Sequence, residues 1–301
     1  MFVLSTLVKR YKGQAGTASL RSVFRLFSSQ SSTDTMECRY NDARSYLLTR
    51  YPKDVFDENP YTNLSSATSY PWINKHFHNF YQTYHKEWDN STAVLLELGG
   101  GPCIYPLISA VPYVAEIYHS DYVKACRDEV LLWKNKDPNA YDWSPYFKHI
   151  VQTLEGQTNP DAVTKRQEKL RSLLKDSVPC DCRADVMVPS VKTPVNIISS
   201  NHCLEICFNS LEDYAIGLRK IYNMMVPRGF FVSLTAIEIS WCEYADTRYT
   251  SSYPLTVQDV QTHYQKAGFE VLLTDTFEEP LESRNVINDA TGYSFIIARK
   301  V

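Results

Sequence analysis

Glycine is scarce in this chain, at 10 of 301 residues, and no apolar run approaches the roughly 18 to 20 residues needed to cross a bilayer. The first absence excludes collagen-like and low-complexity chains. The second leaves nothing to read as a membrane span. A formal net charge of −3 with interspersed signs lacks the basic field of a polynucleotide binder, so no nucleic-acid partner is expected. Acidic residues are missing from one stretch altogether. Residues 1–33 hold Lys9, Arg10, Lys12, Arg21 and Arg25 and no acid before Asp34, which leaves the remainder at −8, with 26 basic against 34 acidic side chains.

That acid-free, Ser- and Thr-rich leader has the composition of a mitochondrial transit peptide. The alternatives are a disordered basic tail, or an upstream extension if Met36 is the working start. A cytoplasmic protein is expected, with the mitochondrial matrix as the alternative. Eight cysteines without a convincing secretory signal favour reduced thiols. Their close pairs, Cys180-x-Cys182 and Cys203-xxx-Cys207, do not form CxxC knuckles at zinc spacing, and His202 beside Cys203 reads better as part of a strand end, so no metal is expected.

What is present is 44% hydrophobic residues and 21 tyrosines, enough to bury a substantial core. Residues 36–90 read as a helical cap. Asn41 or Asp42 starts a helix through Tyr51, and Pro71 to Trp88 places Ile73, Phe77, Phe80 and Tyr84 on one face. Between them, 52–70 reads as a loop. From residue 91 onward, strands and helices alternate. Strands are predicted at Ala93–Leu98, Glu116–His119, Pro194–Ser199, Phe230–Thr235, Phe269–Asp275 and Tyr293–Lys300. Helices are predicted from Ile104, over Lys124–Lys134, over 161–176, after the Ser210/Asp213 cap as far as Pro227-Arg228-Gly229, and from the Thr256/Asp259 cap to Gly268. The predicted architecture is an α/β, Rossmann-like, doubly wound and mostly parallel sheet with an antiparallel C-terminal strand and a helical N-terminal cap.

The chemistry is concentrated in Glu97-Leu98-Gly99-Gly100-Gly101-Pro102, directly after the first strand. Glycines there let backbone turn tightly and approach a ligand. Asp121, 20 residues after Gly101 at the end of the next strand, is placed to accept hydrogen bonds from ribose hydroxyls. A dinucleotide fingerprint needs a third glycine where Ile104 stands, and no lysine follows in a GxxxxGK pattern. The acid-x-Gly-x-Gly turn instead resembles the first motif of methyltransferases that use S-adenosylmethionine.

Gly-Pro-x-Ile-Tyr after the glycines, Asp121-Tyr122, Asp142-Trp143-Ser144 and Leu154-Glu155-Gly156 together resemble the family of nicotinamide, phenylethanolamine and indolethylamine N-methyltransferases, from about Tyr40 to the C-terminus. The resemblance implies a monomeric, S-adenosylmethionine-dependent N-methyltransferase acting on a small amine or pyridine. It implies that Tyr46 and Tyr51 close over the cofactor and line the substrate side. Gly99, Gly100 and Tyr105 would contact its methionine part, Asp121 its ribose, Asp181 and the Cys182 backbone its adenine, and Asn201 a further part. The chain also departs from the family. Cys126 stands where a relative carries a cofactor-contacting asparagine, Thr235 where the nicotinamide enzyme carries a substrate-binding aspartate, and Ile239 where the phenylethanolamine enzyme carries a carboxylate, with Glu238 next to it. Glu205 keeps an acid present in both relatives and is expected to anchor the amine and take its proton, with Glu238, Tyr46 and His202 as neighbours. These departures motivate an alternative, a catalytically degenerate cofactor-binding protein with a sensing or scaffold role.

Overall fold

The computed structural model describes residues 43–51, 56, 69–244, 247–251, 253–280 and 288–301. The leader, the Asn41/Asp42 cap and most of the 52–70 loop lie outside them. Seven strands form one sheet in the order β3-β2-β1-β4-β5-β9-β8. These are β1 (Val94–Leu98), β2 (Glu116–Asp121), β3 (Leu174–Pro179), β4 (Val195–Asn201), β5 (Met225–Ile237), β8 (Phe269–Glu278) and β9 (Gly292–Lys300). β1 to β5 pair in parallel, and β9 runs antiparallel to both β5 and β8. The predicted single reversed C-terminal strand is therefore present.

Alternation along the strands sends side chains into two cores. Leu95, Ile197, Phe230, Val232, Phe295 and Ile297 enter one; Leu96, Leu98, Ile198, Phe231, Ile296 and Ala298 enter the other. On the first face lie α1 (Ala43–Arg50), α2 (Ser69–Tyr84), α3 (Tyr105–Ile108), α5 (Ser144–Lys148) and α6 (Ala162–Leu173). The second is covered by α8 (Leu211–Asn223) and α9 (Val257–Ala267). α4 (Lys124–Lys134) follows β2, and α7 (Leu204–Cys207) follows β4.

α2 carries the predicted stripe, with Ile73, Phe77 and Phe80 buried. Phe77 stands 5.0 Å from Phe295 and Phe80 5.6 Å from Phe230, ring to ring, so this helix is a layer on the sheet rather than a cover over its edge. Thr256 and Asp259 form the full reciprocal capping box, Gly268 ends α9 at φ +103°, and the Ser210 hydroxyl accepts from the Asp213 N–H.

Three expectations change, and one element is new. The helix after the glycines lasts only from Tyr105 to Ile108. Helix 161–176 stops at Leu173, and Leu174–Pro179 pairs with β2; Lys175 and Asp176 are exposed on this sheet-edge strand, which gave it the polarity of a helix surface. α8 ends at Asn223, so Pro227-Arg228-Gly229 lies within a bulge at the start of β5, where the register jumps from Met225 to Phe230. A hairpin of β6 (Trp241–Tyr244) and β7 (Thr247–Thr250) follows β5 and was not predicted.

Candidate active site

β1 and β4 are adjacent, and the connections leave them in opposite directions, which creates a crevice at their carboxyl ends. The glycine turn fills one wall. Gly99 and Gly101 have φ of +69° and +61°, values L side chains rarely adopt. A Cβ at Gly99 would lie 2.1 Å from Cys203 Sγ, and one at Gly100 would lie 2.6 Å from His119 Nε2 and 2.7 Å from Glu97 Cγ. A Cβ at Gly101 would meet nothing within 4 Å. The first two glycines are thus required by packing beneath the turn, and the third leaves backbone open to a ligand.

Asp121 braces this turn. Its Oδ2 accepts from the Gly101 N–H at 2.8 Å and its Oδ1 from the Val123 N–H at 2.8 Å. Both oxygens keep a second lone pair, the capacity a ribose hydroxyl would use. Burial pushes its pKa up to about 6, against the pull of the Val123 and Gly101 N–H groups. His119, buried under Gly100, pairs Nδ1 with Ser177 Oγ at 2.8 Å, and burial lowers it to about 4, so it is neutral at physiological pH.

Glu97 was visible in sequence only as the first residue of the motif. It is fully buried, accepts from Asn201 Nδ2 at 2.7 Å through Oε1, and takes a short hydrogen bond from the Ser199 hydroxyl on Oε2. Burial raises it to about 7, although both donors oppose that shift. Asn201, expected to touch cofactor, uses its amide on Glu97; its Oδ1 is buried with no hydrogen-bond partner among the described residues.

An aromatic box joins α1 to this turn. The Tyr51 ring lies 5.8 Å from Tyr46, 5.1 Å from Tyr70, 5.7 Å from Tyr105 and 5.4 Å from Trp143. Burial raises the phenols of Tyr46, Tyr51 and Tyr105, keeping them neutral. Asp142-Trp143-Ser144 now has a local role. Asp142 accepts from the Ser144 N–H at the start of α5, and Trp143 stands in the box.

The remaining candidates divide. Glu205 is 2% exposed; its Oε1 accepts from the Ala236 N–H at 2.9 Å and lies 3.5 Å from His202 Nδ1, while its Oε2 is buried with no hydrogen-bond partner among the described residues. Thr235 and Ile239 are buried nearby in sequence on and after β5. Glu238 is exposed at φ +54° and accepts from Thr291 Oγ1 at 2.9 Å, and no described hydrogen bond or ion pair links it to Glu205. Cys126 is completely buried against Ala43 and Val123. Asp181 Oδ1 accepts from the Arg183 N–H at 2.9 Å, which shapes the turn that carries buried Cys182.

The crevice fits S-adenosylmethionine on its own features. Backbone is open at Gly101, Asn201 Oδ1 is an acceptor with no partner among the described residues, the buried acids Glu97 and Asp121 form no salt bridge among them, and phenol rings offer the faces that attract a sulfonium.

Residues 38–301 match the model of the NNMT/PNMT/TEMT family. Nicotinamide N-methyltransferase of Homo sapiens is 29% identical over 209 residues, covering 69% of this chain and 77% of the relative. Phenylethanolamine N-methyltransferase of Rattus norvegicus is 28% identical over 217 residues, covering 70% and 74%. Indolethylamine N-methyltransferase of Oryctolagus cuniculus is 28% identical over 211 residues, covering 68% and 76%.

Proposed function

Because the chain belongs to the NNMT/PNMT/TEMT family of S-adenosylmethionine-dependent methyltransferases, we propose that it methylates the nitrogen of a small amine or pyridine-type substrate. The observation that carries the acceptor assignment is the Glu205 carboxylate, buried yet with Oε2 unpaired. A buried acceptor without a partner costs about 1–3 kcal/mol, more for a charged group, so a ligand that donates to it gains that much by arriving. A substrate ammonium or N–H is such a donor.

Bound S-adenosylmethionine supplies an electrophilic methyl group on a sulfonium. The protein's part is placement and proton management. Gly99, Gly100 and Tyr105 hold the methionine portion, Asp121 the ribose, Asp181 and the Cys182 backbone the adenine, and Asn201 Oδ1 a remaining donor. Cys126 packs against Ala43 and Val123. Tyr46 and Tyr51 close the α1 side and keep water from the reacting centre. An amine attacks only when neutral, so Glu205 orients the ammonium and accepts its proton directly or through water. Holding nucleophile and methyl group in line accounts for a large share of the rate enhancement. Glu238, exposed and accepting from Thr291 Oγ1, is assigned no part in the proton transfer.

The three relatives named above are each named as N-methyltransferases, which supports nitrogen as the acceptor. Thr235 supplies a hydroxyl rather than an acid at its position, which favours a substrate other than nicotinamide. The test is a panel of aliphatic amines, indolethylamines and pyridines incubated with the full chain and methyl-labelled S-adenosylmethionine. Label transferred to at least one nitrogen acceptor is the expected result. Cofactor binding without turnover across the panel would instead favour the sensing role. No helix among the described residues is long and apolar enough to cross a membrane. A reporter fused to residues 1–33 separates a cytoplasmic from a matrix destination.

A further inference from the structure

The two cysteine pairs that stand apart in the sequence meet in the fold. Cys182 follows β3, Cys203 precedes α7 and Cys207 ends it, and their three Sγ atoms lie within 4.8 Å of one another. Cys203 and Cys207 sit four residues apart, on one side of a single helical turn. Cys182 is brought across from the far side of β2 and β1 in the strand order. Cys180, buried two residues before Cys182, adds a fourth thiol to the same strand end. Cys182 is buried, whereas Cys203 and Cys207 are half-buried, which gives the group an open side.

We propose that Cys182, Cys203 and Cys207 form a binding site for a soft, thiophilic d10 metal ion. Thiolates bound about 2.3 Å from a common ion stand roughly 4 Å apart, within about 1 Å of the separations of the observed triangle. An all-sulfur donor set selects soft ions such as Cu(I), Cd(II) or Zn(II) over Mg(II) or Ca(II). Three protein ligands leave one coordination position open. Binding a divalent ion exchanges three S–H protons for three metal–sulfur bonds and releases those protons to solvent. The site lies directly behind the cofactor turn, because Cys203 Sγ is the atom that a Cβ on Gly99 would strike.

The test uses Cd(II), which cannot itself oxidise the thiols, titrated into the reduced full chain. One Cd(II) per chain is expected by native mass spectrometry, with an ultraviolet thiolate-to-metal absorption that saturates at one equivalent. Cys207→Ser should weaken binding by at least about tenfold. Cys242→Ser, whose thiol lies outside the cluster, should leave it unchanged. Independently of any variant's folding, one equivalent of Cd(II) should protect Cys182, Cys203 and Cys207 of the wild-type chain from alkylation and leave Cys242 reactive. No saturable binding, full-strength binding in Cys207→Ser, or protection mapping to other cysteines would each overturn the proposal.

Discussion

The Tyr51 ring lies 5.7 Å from that of Tyr105, so the residue that follows α1 rests on the residue that begins the helix after the glycine turn. Both rings are almost fully buried, at 4% and 2% exposure. Order in α1 is thereby tied to order in the cofactor wall. Tyr51→Ala should lower stability by about 3–5 kcal/mol, the range for deleting a buried aromatic. It should also weaken S-adenosylhomocysteine binding at least tenfold, while Tyr51→Phe, which keeps the ring and loses only the hydroxyl, should do much less of both. Calorimetry and thermal unfolding of the two variants check the order. Equal behaviour of Ala and Phe would show that the hydroxyl, not the ring, carries the coupling.

The three glycines predict an uneven alanine series. At Gly99 the added methyl meets Cys203 Sγ, and at Gly100 it meets His119 and Glu97, all buried or half-buried neighbours with little room to retreat. Gly101→Ala meets no atom and bears only the cost of its positive φ, on the order of 1 kcal/mol. Gly99→Ala and Gly100→Ala should therefore lose both stability and cofactor binding. Gly101→Ala should fold nearly normally and fail mainly in cofactor affinity, because its methyl occupies the space a ligand needs. Melting temperature plotted against affinity for the three variants separates these outcomes.

Much of this was legible in the chain. β1 was readable because a strand buried on both faces is a continuous apolar run closed by glycines, and Lys124–Lys134 because its ends and its buried face agree. β3 was not, since an edge strand with Lys175 and Asp176 facing solvent has the polarity of a helix surface. Glu97 escaped assignment for a different reason. A buried acid within a strand has no periodicity to mark it, and its partners Ser199 and Asn201 lie more than 100 residues away, in β4. The cysteine triangle was hidden similarly, because sequence spacing shows pairs and only the strand order brings the pairs together.

Thr256 offers a test of the scaffold away from the crevice. Its hydroxyl accepts from the Asp259 N–H at 3.1 Å, and the Asp259 carboxylate accepts from the Thr256 N–H at 3.0 Å. Thr256→Ala removes half of this box and should cost about 1 kcal/mol in chemical denaturation, with no change in S-adenosylhomocysteine affinity. A larger loss would mean that α9 depends on its first turn more than its packing suggests.

Stability should depend on pH through Glu97 and Asp121. Their values in the fold, about 7 and about 6, stand above the ordinary 4.5 and 3.8, so the folded chain binds more protons than the unfolded chain between these limits. Their contribution is therefore fully present below about pH 4 and is lost as pH rises to about 7. For Glu97 alone the span corresponds to about 3 kcal/mol. Denaturation of the ligand-free protein from pH 5 to 8 should show this decline, and Glu97→Gln should flatten the portion that ends near pH 7. A decline that persists unchanged in Glu97→Gln would assign it to other groups.

Glu205 provides the sharpest separation of binding from chemistry. Its Oε1 is held by the Ala236 N–H, so the carboxylate is positioned before substrate arrives, and its unpaired Oε2 is the atom assigned to the amine. Glu205→Gln keeps the shape and an oxygen able to accept from Ala236, but cannot take a proton. It should leave S-adenosylhomocysteine affinity within about twofold and reduce kcat/KM for the methylated amine by about 10²-fold or more, the usual range for losing a general base. The loss should be smaller at high pH, where the free amine is already neutral, and smaller for a pyridine, whose nitrogen needs no deprotonation. A uniform loss across pH and substrate class would reassign Glu205 to holding α7 against β5.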